Sequence, residues 1–273
     1  VTTREQRLVF GEVARSYDDV RAGYPAEIGE RIFAYTGGLV PVVEIGAGTG
    51  KATAMLVAAG APVTCLEPDP AMAEVLRARF GTSSPGFPGR IDVRLCGFEE
   101  WTPPAGGVPL ICSAQAFHWV DPATRWRRAH DALTPDGTLA LFGHGYNFAD
   151  GTLEDQINIV YDRIAPELRD DPSQRPAAAE DNWYHTEMAD SGLFEEVTSA
   201  WIESVVPYPT SRYLALLATF SNHRMLPAER RERLHAGIGA VVDRAGGVVE
   251  IHLKTLLTMG RRARRRTNVG PGC

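Results

Sequence analysis

The chain has 273 residues, enough for one large domain or two small ones with a sizeable core. Hydrophobic residues make up 44% and charged residues 23%, which excludes a disordered or collagen-like chain. The 28 basic and 34 acidic residues leave a net charge of −6, which argues against a nucleic-acid footprint over the whole surface. No apolar run approaches the ~18 residues of a membrane span, and Val1–Arg15 carries charges where a signal peptide needs apolar residues. Neither a membrane nor a nucleic acid is an expected partner, and the expected compartment is the cytoplasm. Cys65, Cys96, Cys112 and Cys273 show no CxxC spacing. The first three lie in strand-like runs and read as small buried hydrophobes. The histidines form no ligand pattern, so no metal is expected.

The first half alternates strand and helix signals. Leu39–Ile45 is a valine-rich run fit for a buried parallel strand. Lys51–Ala59 reads as a helix, Pro62–Leu66 as a strand, and Pro70–Phe80 as a helix with proline in its first turn. Thr82–Gly89 is a loop. Ile91–Leu95 and Val108–Ser113 are strands, Pro122–Leu133 a helix capped by Asp121, and Thr138–Gly143 a fifth strand after the turn Thr134–Gly137. Strands alternating with helices imply a parallel sheet covered on both faces, an α/β fold. In the second half, Leu153–Ile164, Glu180–Ser191, Arg212–Ser221 and Ala228–Ala245 read as helices. Phe194–Val205 and Val248–Met259 read as strands, Arg169–Pro176 as a surface loop and Arg261–Cys273 as a disordered arginine-rich tail.

The informative stretch runs from Val42 through Glu44 to Gly46-Ala47-Gly48-Thr49-Gly50, joining a strand to a helix. Glycines here allow a tight turn and close approach of a ligand to the backbone. In open α/β sheets this carboxyl end of the strands is where ligands sit. A P-loop fails, because Ile45 and Ala52 stand where its first glycine and its final Ser or Thr belong. A dinucleotide loop fails at its third glycine, which is Lys51. What remains is an acid two residues before GxGxG. A second acid, Glu67, ends the next strand 21 residues after Gly46, where a carboxylate can accept from both hydroxyls of a ribose.

The pattern from Glu44 to Gly50 resembles motif I of the class I S-adenosylmethionine-dependent methyltransferases. The N-terminal Tyr17-Asp18, Arg21 and Tyr24-Pro25, together with Ala116-Phe117-His118-Trp119 and Leu216–His223, resemble the small-molecule group related to trans-aconitate methyltransferase. The resemblance covers about residues 8–262. It implies a Rossmann-like, mostly parallel seven-stranded sheet with the last strand antiparallel and a helical lid over the carboxyl edge. It implies one domain over 1–262, with lid helices in 1–36, a cofactor core over 37–143, further lid segments at 144–192 and 206–245, and a tail at 263–273. The implied cofactor is S-adenosylmethionine. Its implied contacts are Tyr17 and Arg21 from the lid; Glu44, Gly46, Ala47, Gly48 and Gly50 from the loop; and Glu67, Pro68 and Met72 after the second strand. Gly97, Phe98 and Glu99 after the third strand and Ser113, Ala114 and Gln115 after the fourth complete them. Cys96 departs from the family's usual acid near the adenine, which shifts weight to Phe98 and Glu99.

The implied reaction is methyl transfer to oxygen or nitrogen of a small molecule such as a natural-product intermediate. Carboxyl methylation of a small polyacid and a non-catalytic cofactor binder are the alternatives. His118 is the candidate general base, since an ordinary imidazole can take a proton near neutral pH; its alternative is to order the substrate loop. Tyr24, Trp119, Tyr146, Asn147 and His223 are candidate substrate-side residues, and a packed role competes at His223. Trp183-Tyr184-His185 could line a pocket or pack a lid.

Overall fold

The computed structural model describes residues 18–81, 90–169 and 178–264. Its centre is β1 (Val42–Ile45), whose four residues are all buried, as a strand covered on both faces requires. β1 lies parallel between β2 (Val63–Leu66) and β4 (Val108–Ala114), with Val42 opposite Val63 and Leu110. β3 (Ile91–Arg94) adds to β2, and β5 (Leu133–Phe148) runs parallel to β4. β7 (Val248–Arg262), the last strand in sequence, is antiparallel to both β5 and β6 (Phe194–Pro209). The seven-stranded order is β3-β2-β1-β4-β5-β7-β6.

Alternation along the strands sends side chains to two cores. On one face Val42, Val63 and Leu110 meet α1 (Ala26–Thr36), α2 (Lys51–Ala58) and α3 (Pro70–Phe80) through Ile28, Leu56 and Leu76. On the other, Val43, Ile111 and Leu139 meet α4 (Arg125–Ala132) and α6 (Trp183–Asp190) through Trp126 and Met188. β5 pairs with β4 only as far as Phe142, yet continues pairing with β7 to Phe148. The long strands therefore project past the carboxyl edge of the parallel five. On this projection α5 (Gly151–Ile164), α7 (Thr210–Leu217) and α9 (Ala228–Arg244) build a third core with Tyr208, Ile251 and Leu253.

Several expectations change in detail. Residues 144–148, expected to open a lid segment, continue β5. The turn at 134–137 is an excursion between paired parts of that strand, with Asp136 at φ +66 and a register shift after Val108. β6 reaches Pro209 and β7 reaches Arg262, so Arg261 and Arg262 belong to the sheet rather than to a tail. Asp121 does not cap α4: its carboxylate accepts from Ala123 N and Thr124 Oγ1, closing a turn of its own, and the helix starts at Arg125. The helix expected over 212–221 ends at Leu217, and a short α8 (Ser221–Arg224) follows a break held by Thr219 Oγ1 donating to Leu216 O. Cys65 and Cys112 are buried and Cys96 partly so. The loop 82–89, most of the loop 169–176, Cys273 and the end of the tail lie outside the described residues. Among the described residues no helix is long and apolar enough to cross a membrane, and no cluster could hold a metal ion.

Candidate active site

The glycine turn leaves β1 with φ +65 at Gly46, +57 at Gly48 and +88 at Gly50, a region that only glycine enters cheaply. The three differ in what a side chain would meet. A Cβ on Gly46 would strike Ala116, and one on Gly50 would strike Leu76 and Phe80 of α3. At Gly48 no atom of the described residues lies within 4 Å. Gly46 and Gly50 thus serve close packing, whereas Gly48 faces open space. Gly50 lines neither cavity beside the turn, which corrects its expected contact role.

Opposite Gly48 stands Glu67, whose carboxylate accepts from Gly48 N at 2.7 Å and Asp69 N at 2.8 Å. Glu67 is 6% exposed and lines a cavity of about 140 Å³. Pro68 and Met72 after β2, Gly97, Phe98 and Glu99 after β3, Ala114 at the end of β4 and Gln115 just beyond it share its walls. Arg128 holds the β3 loop by donating to Phe98 O and Trp101 O, both at 2.7 Å. Trp119 and Val120 close the far side.

A smaller cavity of about 50 Å³ shares Gly46, Gly48, Ala114 and Gln115 with the first. Its other walls include Arg21, Tyr24, Glu44, Ala47, Thr49, Lys51 and Tyr146. Glu44 is 1% exposed and accepts from Thr53 Oγ1 at 2.6 Å; burial pushes its carboxyl up to about 8. Thr49 Oγ1 is buried with no hydrogen-bond partner among the described residues. Lys51 donates to Asp18 O, and Asp18 also pairs with Arg79 at 2.8 Å, which straps the segment before α1 across the turn. Gln115 takes φ +52, a strained conformation for a non-glycine residue. It is fixed by Tyr24 Oη donating to its Oε1 at 3.3 Å and by its own Nε2 donating to His144 O at 3.1 Å. Tyr24 stacks on His144 at 4.2 Å, and burial pushes that imidazole down to about 4, so it is neutral at pH 7.

Tyr146 also borders a third space of about 420 Å³ under the lid, lined by Phe148, Tyr161, Tyr213, Phe220 and His223 among others. Arg21 stands at the junction. Its guanidinium lies 4.3 Å from the Phe220 ring centre and 5.5 Å from that of Tyr146, and its Nε donates to Thr219 Oγ1 at 2.8 Å.

Most of the expected residues therefore gather around two adjoining cavities. Several do not. Tyr17 lies outside the described residues. Ser113 is sealed in the sheet, donating to Ile45 O at 3.0 Å. His118 is exposed and lines none of these cavities; its ring rests against Trp119, centroids 4.6 Å apart, and it is Trp119 that faces the first cavity. Asn147 points opposite Tyr146, as neighbours on a strand do, and donates to His252 O at 3.4 Å. His223 borders the lid chamber, not the glycine turn. The Trp183–His185 cluster packs away from the cavities, with Trp183 under Arg125 and His185 on Ser199. Asp69, Thr49, Lys51 and Tyr161 also line these cavities and were not among the expected site residues. Lys51 could have been found, since it occupies the position where the dinucleotide motif breaks.

Residues 42–137 match the family model described as a methyltransferase domain. An uncharacterized methyltransferase of Mycobacterium tuberculosis is 34% identical over 139 residues, 50% of this chain and 53% of that protein. The chain thus spans about half the length of the mycobacterial relatives it matches. A candidate type II methyltransferase structure from Anaeromyxobacter dehalogenans aligns over 88% of this chain and 97% of its own, with TM-score 0.57 and 18% identity. Haemonchus contortus phosphoethanolamine N-methyltransferase 2, in complex with phosphomonomethylethanolamine and S-adenosylhomocysteine, aligns over 97% and 61% with TM-score 0.54 and 12% identity. At these identities the likeness is one of fold.

Proposed function

We propose, on the premise that residues 42–137 form a class I S-adenosylmethionine-dependent methyltransferase domain, that the whole chain is an enzyme methylating an oxygen or nitrogen of a small molecule. The observation that carries the reading is Gly48: no described residue occupies the space at its Cβ position, and its N–H binds the Glu67 carboxylate at the cavity wall. The residues present fit the cofactor. Among the described residues each Glu67 oxygen accepts from one backbone N–H, and a carboxylate oxygen can accept a second hydrogen bond, as from a ribose hydroxyl. Met72, Gly97, Phe98 and Glu99 would hold the adenine. The smaller cavity would take the amino-acid end, where the buried Thr49 hydroxyl has no partner among the described residues and a ligand cation would favour the ionised form of Glu44.

The cofactor supplies a methyl group on a sulfonium. The chain must hold the acceptor about 3–3.5 Å from that carbon, in line with the sulfur, and exclude water. The fixed Tyr24–Gln115–His144 set and the Tyr146 ring would shape that passage. Aromatic faces tolerate the spreading positive charge. His118, exposed and away from the cavities, is given no proton-removing role. A polyacid acceptor is less favoured, because Lys51 is already engaged by Asp18.

Glu67→Ala tests the assignment. Loss of charge-assisted hydrogen bonds should weaken S-adenosylhomocysteine binding by about 1.5–3 kcal/mol, roughly 10- to 150-fold. Unchanged affinity in a folded variant would remove Glu67 from the cofactor site.

A further inference from the structure

The lid chamber is the largest of the three spaces, and its 420 Å³ falls in the range of small-molecule sites. Its walls are unusual in charge. Arg169 is bound by both oxygens of Asp162, at 2.9 and 2.8 Å. Glu167 is paired with Arg230 at 2.6 Å, and Glu154 is engaged as well. The chamber's described charged groups are thus answered within the chain. Besides these, its walls offer aromatic surface, the amides of Asn158 and Asn222, and one hydrogen-bonded chain of rings. Tyr161 Oη and His223 Nε2 are 3.1 Å apart, and His223 Nδ1 lies 3.1 Å from His235 Nε2. Burial holds His223 down to about 4 and also lowers His235, so both rings are neutral at pH 7.

This chain of hydrogen bonds has two polarities. If Tyr161 donates to His223, and His223 to His235, the phenol oxygen keeps a lone pair for an incoming donor. If His235 donates to His223, and His223 to Tyr161, the phenol O–H is left to donate. A hydroxyl group serves either polarity, because it both donates and accepts. A carboxylate serves only one, and its desolvation in the chamber is costly, since the Arg21 guanidinium at the junction is already engaged by Thr219 and two ring faces. An ammonium would meet Arg21, already seated over the faces of Phe220 and Tyr146.

We propose that the lid chamber binds the body of an uncharged, ring-bearing acceptor, holding one of its hydroxyl groups on the Tyr161–His223–His235 chain. The body stacks among Phe148, Tyr213 and Phe220, and the reacting end reaches past Tyr146 toward Gly48. Only this last step rests on the methyltransferase reading; binding in the chamber is measured separately.

The test uses the full chain and four probes of one shape: 2-naphthol, naphthalene, 2-naphthoate and 2-naphthylmethylammonium. Affinities are measured with and without S-adenosylhomocysteine. 2-Naphthol should bind at least about tenfold more tightly than either ion. His223→Phe and the milder Tyr161→Phe should each reduce its advantage over naphthalene by about two- to tenfold, the range for one hydrogen bond, while naphthalene itself binds as before. Tighter binding of either ion overturns the proposal. So does an unchanged naphthol-to-naphthalene ratio in the folded variants, or no naphthol binding at all. Naphthol binding in a chain that does not bind S-adenosylhomocysteine would keep the chamber and sink the methyltransferase reading instead.

Discussion

Glu44 stands in the central strand with Cys65 paired on one side and Cys112 on the other, and Thr53 donates to its carboxylate. Burial, reinforced by the charge of Glu67, raises its carboxyl from 4.5 to about 8, against the lowering effect of the Thr53 hydrogen bond. The native state therefore keeps a proton that the unfolded chain releases above about pH 4.5. Stability contributed by this residue is full below that pH and falls as pH rises toward about 8, by at most about 1.4 kcal/mol per pH unit. Glu44→Gln keeps an acceptor for Thr53 and cannot ionise. Denaturant unfolding at pH 5, 6, 7 and 8 should show the variant gaining on the wild type as pH rises; parallel curves would mean that Glu44 is ionised in the native state. At this scale the residue types were legible and their directions were not. Phe117, His118 and Trp119 form one 3₁₀ turn, in which successive side chains lie about 120° apart. Phe117 takes the core and Trp119 the cavity, which leaves His118 the solvent side.

Among the elements, α3 ties the second acidic residue to the cavity wall. Asp69 accepts from Ala71 N at 2.8 Å and Met72 N at 3.1 Å, and Pro70 follows in the first turn, where its missing N–H costs nothing. Asp69→Ala should cost about 0.5–2 kcal/mol, read as a lower denaturation midpoint with an unchanged m-value. An unchanged midpoint would show that packing of Leu76 and Phe80 alone sets this helix. β1, β2 and β4 were legible because buried parallel strands read as apolar runs, whereas the edge strand β3 alternates Ile91-Asp92-Val93-Arg94. The ends of β5, β6 and β7 were not legible. Gly143-His144-Gly145-Tyr146-Asn147 has the composition of a loop, yet it pairs with residues 252–256 of β7. That pairing joins segments about a hundred residues apart, which local pattern does not reveal. The helix break after Leu217 was missed for a related reason: Thr219 is held by its own turn and by Arg21 from the far end of the chain.

Over the whole molecule, the five parallel strands β3-β2-β1-β4-β5 present the glycine turn, and the extension of β5 with β7 and β6 carries the lid beyond it. The two cavities at the turn share walls, and Tyr146 joins the second to the lid chamber. In the proposed function the first of these spaces receives the cofactor over Gly48. Calorimetric titration with S-adenosylmethionine of three proteins tests it: the wild type, Gly48→Val and Gly192→Val. Gly192 has φ +63 with no described residue within 4 Å of its Cβ position, so a side chain there meets a backbone strain like that at Gly48, away from the turn. One molecule should bind per wild-type chain, with equal affinity in Gly192→Val and no detectable binding in a folded Gly48→Val. Absence of binding to the wild type, or equal binding by all three, would contradict the account.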